Sequence, residues 1–216
     1  MKKRLEGVRI KHRLGANSIK MYDKQGSILR VETTINDPSD FKSFRSPEGK
    51  PEVEKKWLPM RKGIADLHRR TEVSKAANDR YLHALASVEN TTSVGELADG
   101  LCRPSTWKGK RVRAMNPYAP EDADLLAAIN RGEFMQNGFR NRDIRALLFP
   151  SQSILEKDRQ HSAAVTRKFL LLRAHGLIKK VTGTHRYQVT DKGRNIVTAL
   201  ITARNASTES LTKLAA

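Results

Sequence analysis

The sequence has little cysteine, few aromatic residues and few acidic residues, and each shortage excludes a class of protein. Its single cysteine, Cys102, cannot form an internal disulfide or, beside six histidines, complete a zinc knuckle. We expect Cys102 to be a small buried apolar residue and the chain to need no metal ion or cofactor. Aromatic residues make up 6% of the 216 residues, so few side chains are available to stack on RNA bases.

Long apolar runs are also missing. No run approaches the roughly 20 apolar residues that span a bilayer, which excludes a transmembrane helix. The first six residues carry charge without a following apolar stretch, which excludes a secretory signal. We therefore expect a cytoplasmic protein with no membrane partner.

Positive charge is what the sequence has in excess. It contains 41 Lys and Arg against 23 Asp and Glu, which gives a formal net charge of +18 at pH 7. A polyanion is the natural partner of such a chain, and nucleic acid is the leading candidate. The length favours two small domains, each with its own core.

The first 36 residues alternate between apolar and charged side chains in three short runs. The runs are Val8 to Lys11, Ser18 to Tyr22 and Ile28 to Glu32, and glycine-containing turns separate them. This pattern predicts an antiparallel β-meander with one solvent-facing basic face.

We expect an α+β fold in which this meander is followed by helices and a C-terminal domain. Residues 37–59 are rich in Asp, Pro, Ser, Lys and Gly, which predicts a linker. Apolar residues at helical spacing predict one long helix or two short ones in a middle segment, 60–118, together with a short helix near Val94 to Leu101. The C-terminal domain is predicted at 119–206 and a flexible tail at 207–216.

The sequence of the C-terminal domain predicts the order of its helices and strands. Helix, helix, helix, hairpin and helix are predicted over Glu121 to Arg131, Arg142 to Leu148, Arg159 to His175, Leu177 to Val189, and the residues after Thr190. Asn141 and Thr190 are the expected helix caps, and Gly176 is the expected left-handed residue that ends the third helix.

Two linked motifs in this domain, Leu172 to Ile178 and His185 to Gly193, resemble the winged-helix domains of small bacterial repressors. The resemblance implies that the third helix enters the DNA major groove while the hairpin, or wing, contacts the backbone or the minor groove. Val165, Phe169 and Leu172 are spaced to face the core. The DNA-binding residues implied are Arg142, Arg145, Ser162, Ala163, Thr166, Arg167, Thr184, His185 and Arg186.

The charge of this segment agrees with that implication. Residues 137–205 contain 14 Lys and Arg against 4 Asp and Glu, the electrostatic contribution expected of non-specific DNA affinity. The alternative is a basic winged helix that serves as a protein-interaction module. Leu170 and Leu171 leave no polar face in their turn of the helix, which favours a contact with the N-terminal half or with a second chain, as in a homodimer or a larger assembly.

A second resemblance lies in the meander. Asn17 to Lys24, followed by Leu29 to Glu32, resembles a strand pair of rolling-circle replication initiators. It implies a metal-dependent DNA-nicking enzyme with Tyr22 as nucleophile and with Asp23, Glu32 and His12 as candidate metal ligands. The strand before this pair lacks the tyrosine that such enzymes usually carry there.

The simpler interpretation of the same strands is structural. Lys20, Lys24 and Arg30 then form a basic face that makes secondary phosphate contacts, while Tyr22 packs across strands and Glu32 forms salt bridges. We therefore expect a binding module more than an enzyme.

The whole chain also resembles the C-terminal part of a group of longer uncharacterised bacterial proteins. The shared segments are Lys20 to Lys24, Glu32 to Asn36, Asn137 to Asp143 and His175 to Ile178, in this order. This resemblance implies that the chain is part of a longer protein.

Three functions stay open on sequence grounds. The first is a DNA-binding module of a mobile-element, replication or regulatory protein that acts on double-stranded DNA. The second is the nicking enzyme, and the third is a basic protein associated with RNA or the ribosome.

Overall fold

The computed structural model describes residues 2–4, 7–24, 26, 28–86, 92–150 and 155–207. The chain folds into two compact units. Unit 1 comprises Met1–His83 and Met135–Asn137, and unit 2 comprises Ala84–Phe134 and Gly138–Ala216. Both contain helices and small antiparallel sheets, which confirms the α+β class. The predicted middle segment, 60–118, is divided between the units after His83.

Unit 1 begins with the predicted meander. Four antiparallel strands lie in chain order in one sheet: β1 (Lys2–Arg4), β2 (Gly7–Leu14), β3 (Asn17–Lys24) and β4 (Ile28–Thr34). Gly15 turns β2 into β3 with a φ of 58°, a conformation that favours glycine. The alternation in the sequence was enough to predict three of these strands.

The two faces of this sheet differ as the alternation predicted. On the inner face Ile19 and Met21 are buried, and Thr33 donates a 2.8 Å hydrogen bond to the Oδ1 of Asn78 on α1 (Leu67–Ala86). Lys and Arg side chains occupy the outer face, because directly paired residues of neighbouring strands point to the same side. The basic face of the meander is therefore confirmed, and the middle segment supplies one long helix.

The predicted linker contains a hairpin that the sequence analysis missed. Strands β5 (Lys42–Arg45) and β6 (Lys56–Pro59) pair so that Phe44 lies opposite Trp57. The loop between them is polar and contains Pro and Gly, so it dominates the composition of residues 37–59. Two strands of four residues are too short to change that composition. Buried Phe41 and Met60 flank the hairpin and are joined by a 2.9 Å main-chain hydrogen bond.

Unit 1 also includes three residues from much later in the chain. The guanidinium of Arg80 donates hydrogen bonds to the carbonyl oxygens of Met135 and Gln136, at 2.9 and 2.8 Å. The side-chain amide of Asn137 donates to the carbonyl oxygen of Asp40 at 3.1 Å. These hydrogen bonds hold residues 135–137 in unit 1, against α1 and the segment before β5.

Unit 2 starts with a short helix and a hairpin. In α2 (Val94–Asp99) the Ser93 hydroxyl accepts a hydrogen bond from the Glu96 N–H, while the Glu96 carboxylate accepts one from the Ser93 N–H. The hairpin consists of β7 (Ser105–Trp107) and β8 (Lys110–Val112). It lies in the segment predicted to be helical, and strands of three residues are too short to show a period.

The predicted order of helices and hairpin follows in unit 2. The elements are α3 (Pro120–Ile129), a 3-10 helix (Gly132–Met135), α4 (Asn141–Leu148), α5 (Leu155–Ala174), β9 (Ile178–Lys180), β10 (Tyr187–Val189) and α6 (Asp191–Asn205). Gly176 has the expected positive φ of 73°. The Thr190 hydroxyl accepts a hydrogen bond from the Gly193 N–H at 2.9 Å, so the predicted cap of α6 is confirmed.

A single residue before α4, Phe139, pairs with the β9–β10 hairpin through an isolated bridge to β10. The N–H of Phe139 donates to the carbonyl of Tyr187 at 2.9 Å, and the N–H of Tyr187 donates back at 2.8 Å. The Phe139 ring is fully buried and contacts the rings of Phe169 and Tyr187. Val165, Phe169 and Leu172 of α5 are buried around it, as their spacing predicted.

The predicted flexible tail, 207–216, lies outside the described residues except for Ser207.

Close backbone packing at Gly193 generates the first prediction. A Cβ built on Gly193 would lie 2.1 Å from the carbonyl oxygen of Leu177. We expect Gly193→Ala to lower the free energy of unfolding by about 1–3 kcal/mol, because the α6 terminus must move away from Leu177. Urea denaturation measures the change.

The matched control for this variant is Gly100→Ala. Gly100 has a φ of −65° and no atom within 4 Å of the added carbon. We expect no loss of stability there, since alanine adopts this conformation without strain. Equal losses at the two glycines would contradict the packing explanation.

Candidate nucleic-acid interface

Helix α5 presents one exposed stripe and one buried stripe. The buried stripe contains Val165, Phe169 and Leu172, which anchor the helix in unit 2. The exposed stripe follows the helical repeat and consists of Arg159, Gln160, Ala163, Thr166, Arg167 and Leu170. Of the four α5 residues predicted to face DNA, Ala163, Thr166 and Arg167 lie on this stripe, whereas Ser162 is half-buried beside it.

Asn141 joins α4 to α5 through the predicted DNA-facing hydroxyls. Its side-chain amide donates to the Ser162 carbonyl at 2.9 Å and to the Thr166 hydroxyl at 3.0 Å, and its oxygen accepts from the Ser162 hydroxyl at 3.3 Å. The Thr166 hydroxyl itself donates to the Ser162 carbonyl. Ser162 and Thr166 therefore fix the angle between the two helices as well as bordering the surface.

The expectation that Asn141 caps α4 was wrong by one residue. The cap position is Arg140, and its N–H donates a 2.7 Å hydrogen bond to the Asp143 carboxylate. Asn141 is already inside the helix, which is why its side chain is available to reach α5.

The cations of α4 are placed differently from each other. Arg142 is exposed, with its Nε 3.6 Å from the neighbouring Asp143 carboxylate. Arg145 is half-buried and forms a 3.1 Å ion pair with Asp158 of α5. Arg142 is thus the α4 cation presented outward, and Arg145 links the helices.

The hairpin between β9 and β10 exposes only part of the predicted wing. His185 is exposed, and Thr184 is half-buried because its hydroxyl donates to the Val181 carbonyl at 2.9 Å and closes the turn. Lys179, Lys180 and Thr182 are also exposed on this hairpin.

The prediction that Arg186 contacts DNA was wrong. Its side chain is only 3% exposed and donates a 3.4 Å hydrogen bond to the Gly138 carbonyl, inside unit 2. His185 and Arg186 precede β10, and the next residue, Tyr187, packs its ring against Phe169. No period in this part of the sequence distinguishes the buried Arg186 from the exposed His185 beside it.

A shallow pocket of about 310 Å³ borders α5 on the side of Arg167. The pocket lies between α5, α3 and β8, with Ala164, Leu170 and Leu171 among its lining residues. Two of its cations are paired within unit 2: Lys168 with Glu121, and Arg113 with Asp122. Arg167 also lines the pocket, on the exposed side of α5.

The Arg113–Asp122 pair holds the start of α3. Two hydrogen bonds from the Arg113 guanidinium, of 2.8 and 2.6 Å, reach the two oxygens of the buried Asp122 carboxylate. The Asn116 N–H adds a third, of 2.9 Å. Hydrogen bonding to Arg113 holds the pKa of Asp122 below its ordinary value despite burial.

In unit 1 the residues of the alternative catalytic set are divided between the two faces of the sheet. Tyr22 and Glu32 lie on the outer face, and His12 and Asp23 lie on the inner face. His12 approaches the hydroxyl of Tyr81 at 3.3 Å. In the part of the chain that the structure describes, no three His, Cys, Asp or Glu side chains group as metal ligands would.

Glu32 is instead the centre of a hydrogen-bonded cluster. It accepts from the Tyr22 hydroxyl at 2.7 Å and pairs with Lys20 at 2.6 Å and Arg30 at 2.8 Å. The Lys20 hydrogen bond is the main cause that lowers the pKa of Glu32, and the hydrogen bond to Glu32 raises the pKa of Tyr22. The Glu32 carboxylate that accepts from Tyr22 is thus also held by two cations, Lys20 and Arg30.

Lys20, Lys24 and Arg30 all lie on the outer face of the meander, and their role as secondary phosphate contacts stays a prediction. Sequence reasoning missed four polar residues that share the surfaces of α5 and its hairpin: Arg159, Gln160, Lys179 and Lys180. Arg159 and Gln160 could have been found from the helical repeat, because they lie one turn before Ala163 on the same face of α5. Lys179 and Lys180 could have been found from their place in β9, the first strand of the hairpin that follows α5.

Two other expectations concern the chain as a whole. Cys102 is exposed, so the prediction of a buried apolar cysteine was wrong. It follows the last turn of α2, where neighbouring Leu101 fills the core instead. The helices in the described ranges include none with the length and apolarity to cross a bilayer.

Comparison with protein-family models, with curated proteins and with solved structures finds no match to this chain.

The Asn141 bridge generates a prediction about stability. Asn141→Ala removes two donors and one acceptor between α4 and α5, and leaves the Ser162 and Thr166 groups with fewer partners. We expect the free energy of unfolding to fall by about 1–2 kcal/mol in urea denaturation. Arg142→Ala, the exposed neighbour, is the control and should change stability by less than about 0.5 kcal/mol. A stable Asn141→Ala variant would contradict the bridge.

The lowered pKa of Asp122 generates a prediction about pH. The native state binds a proton at Asp122 less readily than the unfolded state does, so the pair stabilises the fold above the ordinary pKa of 3.8 and this contribution is lost as pH falls below it. We expect Asp122→Asn to be less stable than the native chain at pH 7, and the difference to shrink toward pH 3. Thermal melts across this range measure it, and a constant difference would contradict the assignment.

Proposed function

We propose that residues 119–206 form a winged-helix domain that binds double-stranded DNA, as a module of a mobile-element, replication or regulatory protein. The observation that carries the proposal is the exposed stripe of α5. It puts Arg159, Gln160, Thr166 and Arg167 on one outward face of a helix whose opposite face is locked in the core. An exposed, polar and basic helix face is what the major groove admits.

The element order supports the same proposal. The helices α3, α4 and α5 and the hairpin follow one another, and Phe139, just before α4, pairs with the second strand of the hairpin. In a helix-turn-helix arrangement α4 crosses the backbone and α5 is the recognition helix. The hairpin β9–β10 then takes the place of the wing.

The distribution of exposed charge supports an assignment of the side chains that contact DNA. Arg145, Lys168 and Arg113 pair with carboxylates of unit 2, so these cations are partly neutralised. The exposed cations of the helix-turn-helix and the hairpin are Arg142, Lys157, Arg159, Arg167, Lys179 and Lys180. We assign the α5 cations to phosphates that border the major groove, and Arg142 and the hairpin lysines to phosphates of the adjacent backbone, with His185 beside them.

The test is a fluorescence anisotropy titration of the full chain with a short mixed-sequence duplex at several salt concentrations. In the variant Arg167→Gln with Lys179→Gln, two phosphate contacts are lost, so we expect the slope of log K against log[salt] to fall by about 2. We expect affinity at low salt to fall about tenfold. Absence of a steep salt dependence in the native chain would sink the proposal.

A matched control removes the same charge from α6, which is not part of the proposed interface. Lys192 and Arg204 are exposed on α6, and Lys192→Gln with Arg204→Gln should leave the salt slope unchanged. If the two double variants weaken binding equally, the effect is one of net charge and the α5 interface is wrong. Arg186→Gln should lower stability instead of the salt slope, since the side chain is buried.

A further inference from the structure

We infer that the outer face of the meander in unit 1 is a second, separate site that binds single-stranded nucleic acid. The inference does not rest on the proposed duplex site of unit 2. It rests on six cations that strand alternation and register collect on one side of a four-stranded sheet. They are Arg9, Lys11, Arg13, Lys20, Lys24 and Arg30.

The register arranges these side chains in rows across three strands. Arg9 lies opposite Tyr22, which lies opposite Arg30. In the next row Lys11 lies opposite Lys20, which lies opposite Glu32. Rows on one face are about 6.8 Å apart, since alternate residues of a strand share a face. The result is a continuous basic surface and not a set of scattered charges.

Little negative charge offsets this surface. Among its described residues Glu32 is the only acid, and Lys20 and Arg30 both pair with it. Arg9, Lys11 and Arg13 on β2 are exposed. Because the inner face is packed on α1, through contacts such as that of Thr33 with Asn78, the cations cannot turn inward. A polyanion complements the face that remains.

The width of the sheet selects the form of the polyanion. Four strands spaced about 4.8 Å apart are about 14 Å wide at the backbone, before side chains are added. The major groove of B-DNA is about 12 Å wide and admits a helix or a two-stranded ribbon. The meander is too broad to enter it. A single strand laid across the rows, in contrast, reaches cations on every row.

Tyr22 supplies the aromatic element in the middle of the face. Its hydroxyl is held by Glu32, which fixes the ring between Arg9 and Arg30. The ring is half-buried, and the Lys20 ammonium lies 5.3 Å from its centroid. A base of the bound strand contacts this ring while its phosphates follow the cations, a combination that tolerates any sequence.

The experiment uses the full chain and labelled oligo(dT), oligo(U) and a mixed duplex. The variant Arg9→Gln, Lys11→Gln, Arg13→Gln removes three exposed cations of β2. For oligo(dT) and oligo(U) we expect the slope of log K against log[salt] to fall by about 2, since each single-strand contact contributes about 0.7, and affinity at low salt to fall about tenfold. The slope for duplex should not change.

The control removes the same charge from unit 1 outside the sheet. Lys50, Lys55 and Lys62 are exposed, and their joint replacement by Gln should leave oligonucleotide binding within twofold of the native chain. Equal losses in the two triple variants would overturn the inference. So would loss of oligo(dT) and oligo(U) binding in Arg167→Gln with Lys179→Gln, because one site would then serve both ligands.

The two oligonucleotide arms identify the sugar, and either preference, or none, is consistent with a single-strand site. If the native chain binds neither oligonucleotide, the inference is overturned. Failure to bind the duplex, with oligonucleotide binding intact, overturns the proposed function of unit 2 alone.

A second measurement does not depend on charge. Oligo(dT) with 5-iodouracil at internal positions crosslinks on irradiation to an aromatic side chain in contact with the base. We expect the crosslinked peptide to contain Tyr22, and Tyr22→Phe to keep the crosslink because the ring remains. Crosslinks confined to unit 2 would overturn the inference.

Discussion

The main-chain pair between Phe139 and Tyr187 is the contact on which the fold of unit 2 depends. This joint ties the segment before α4 to the second strand of the hairpin after α5. Both helices of the proposed recognition motif therefore lie, in the chain, between the two residues that the joint pairs. Gly138 makes the joint possible. Its φ is 66°, and a Cβ there would lie 2.1 Å from the Tyr187 carbonyl oxygen. The buried Phe139 ring and the Arg186 hydrogen bond to Gly138 complete the same joint.

This dependence explains why a buried arginine stands in the hairpin. Arg186 donates a hydrogen bond to the main chain of the segment that the hairpin must hold, and the neighbouring His185 is exposed. The domain thus uses some of its positive charge to fix its own geometry. Arg113, Arg145 and Lys168 are used in the same way. The charge available to a ligand is therefore smaller than the count in the sequence suggests.

Period was the information that the sequence carried best. Alternation predicted the meander and its basic face, and the spacing of Val165, Phe169 and Leu172 predicted the buried side of α5. Strands of three or four residues are too short to show a period, and the β5–β6 and β7–β8 hairpins, which lie outside the recognised order of the C-terminal domain, were missed. The period of a segment also does not show which distant residue a side chain contacts. Whether Arg186 meets solvent or Gly138, and whether Asn141 caps its own helix or bridges to Ser162, depends on residues that the chain brings together from a distance.

The assignment of Met135–Asn137 to unit 1 has a consequence for the order in which the protein can mature. Strands and helix up to residue 83 leave the ribosome first, but the carbonyl groups that Arg80 binds belong to residues 135 and 136. Unit 1 is complete only when more than fifty further residues have been made, a span that includes α2, the β7–β8 hairpin and α3. A nascent chain cannot finish its N-terminal unit before its C-terminal unit is well under way, so the two are coupled in time even though each has its own core.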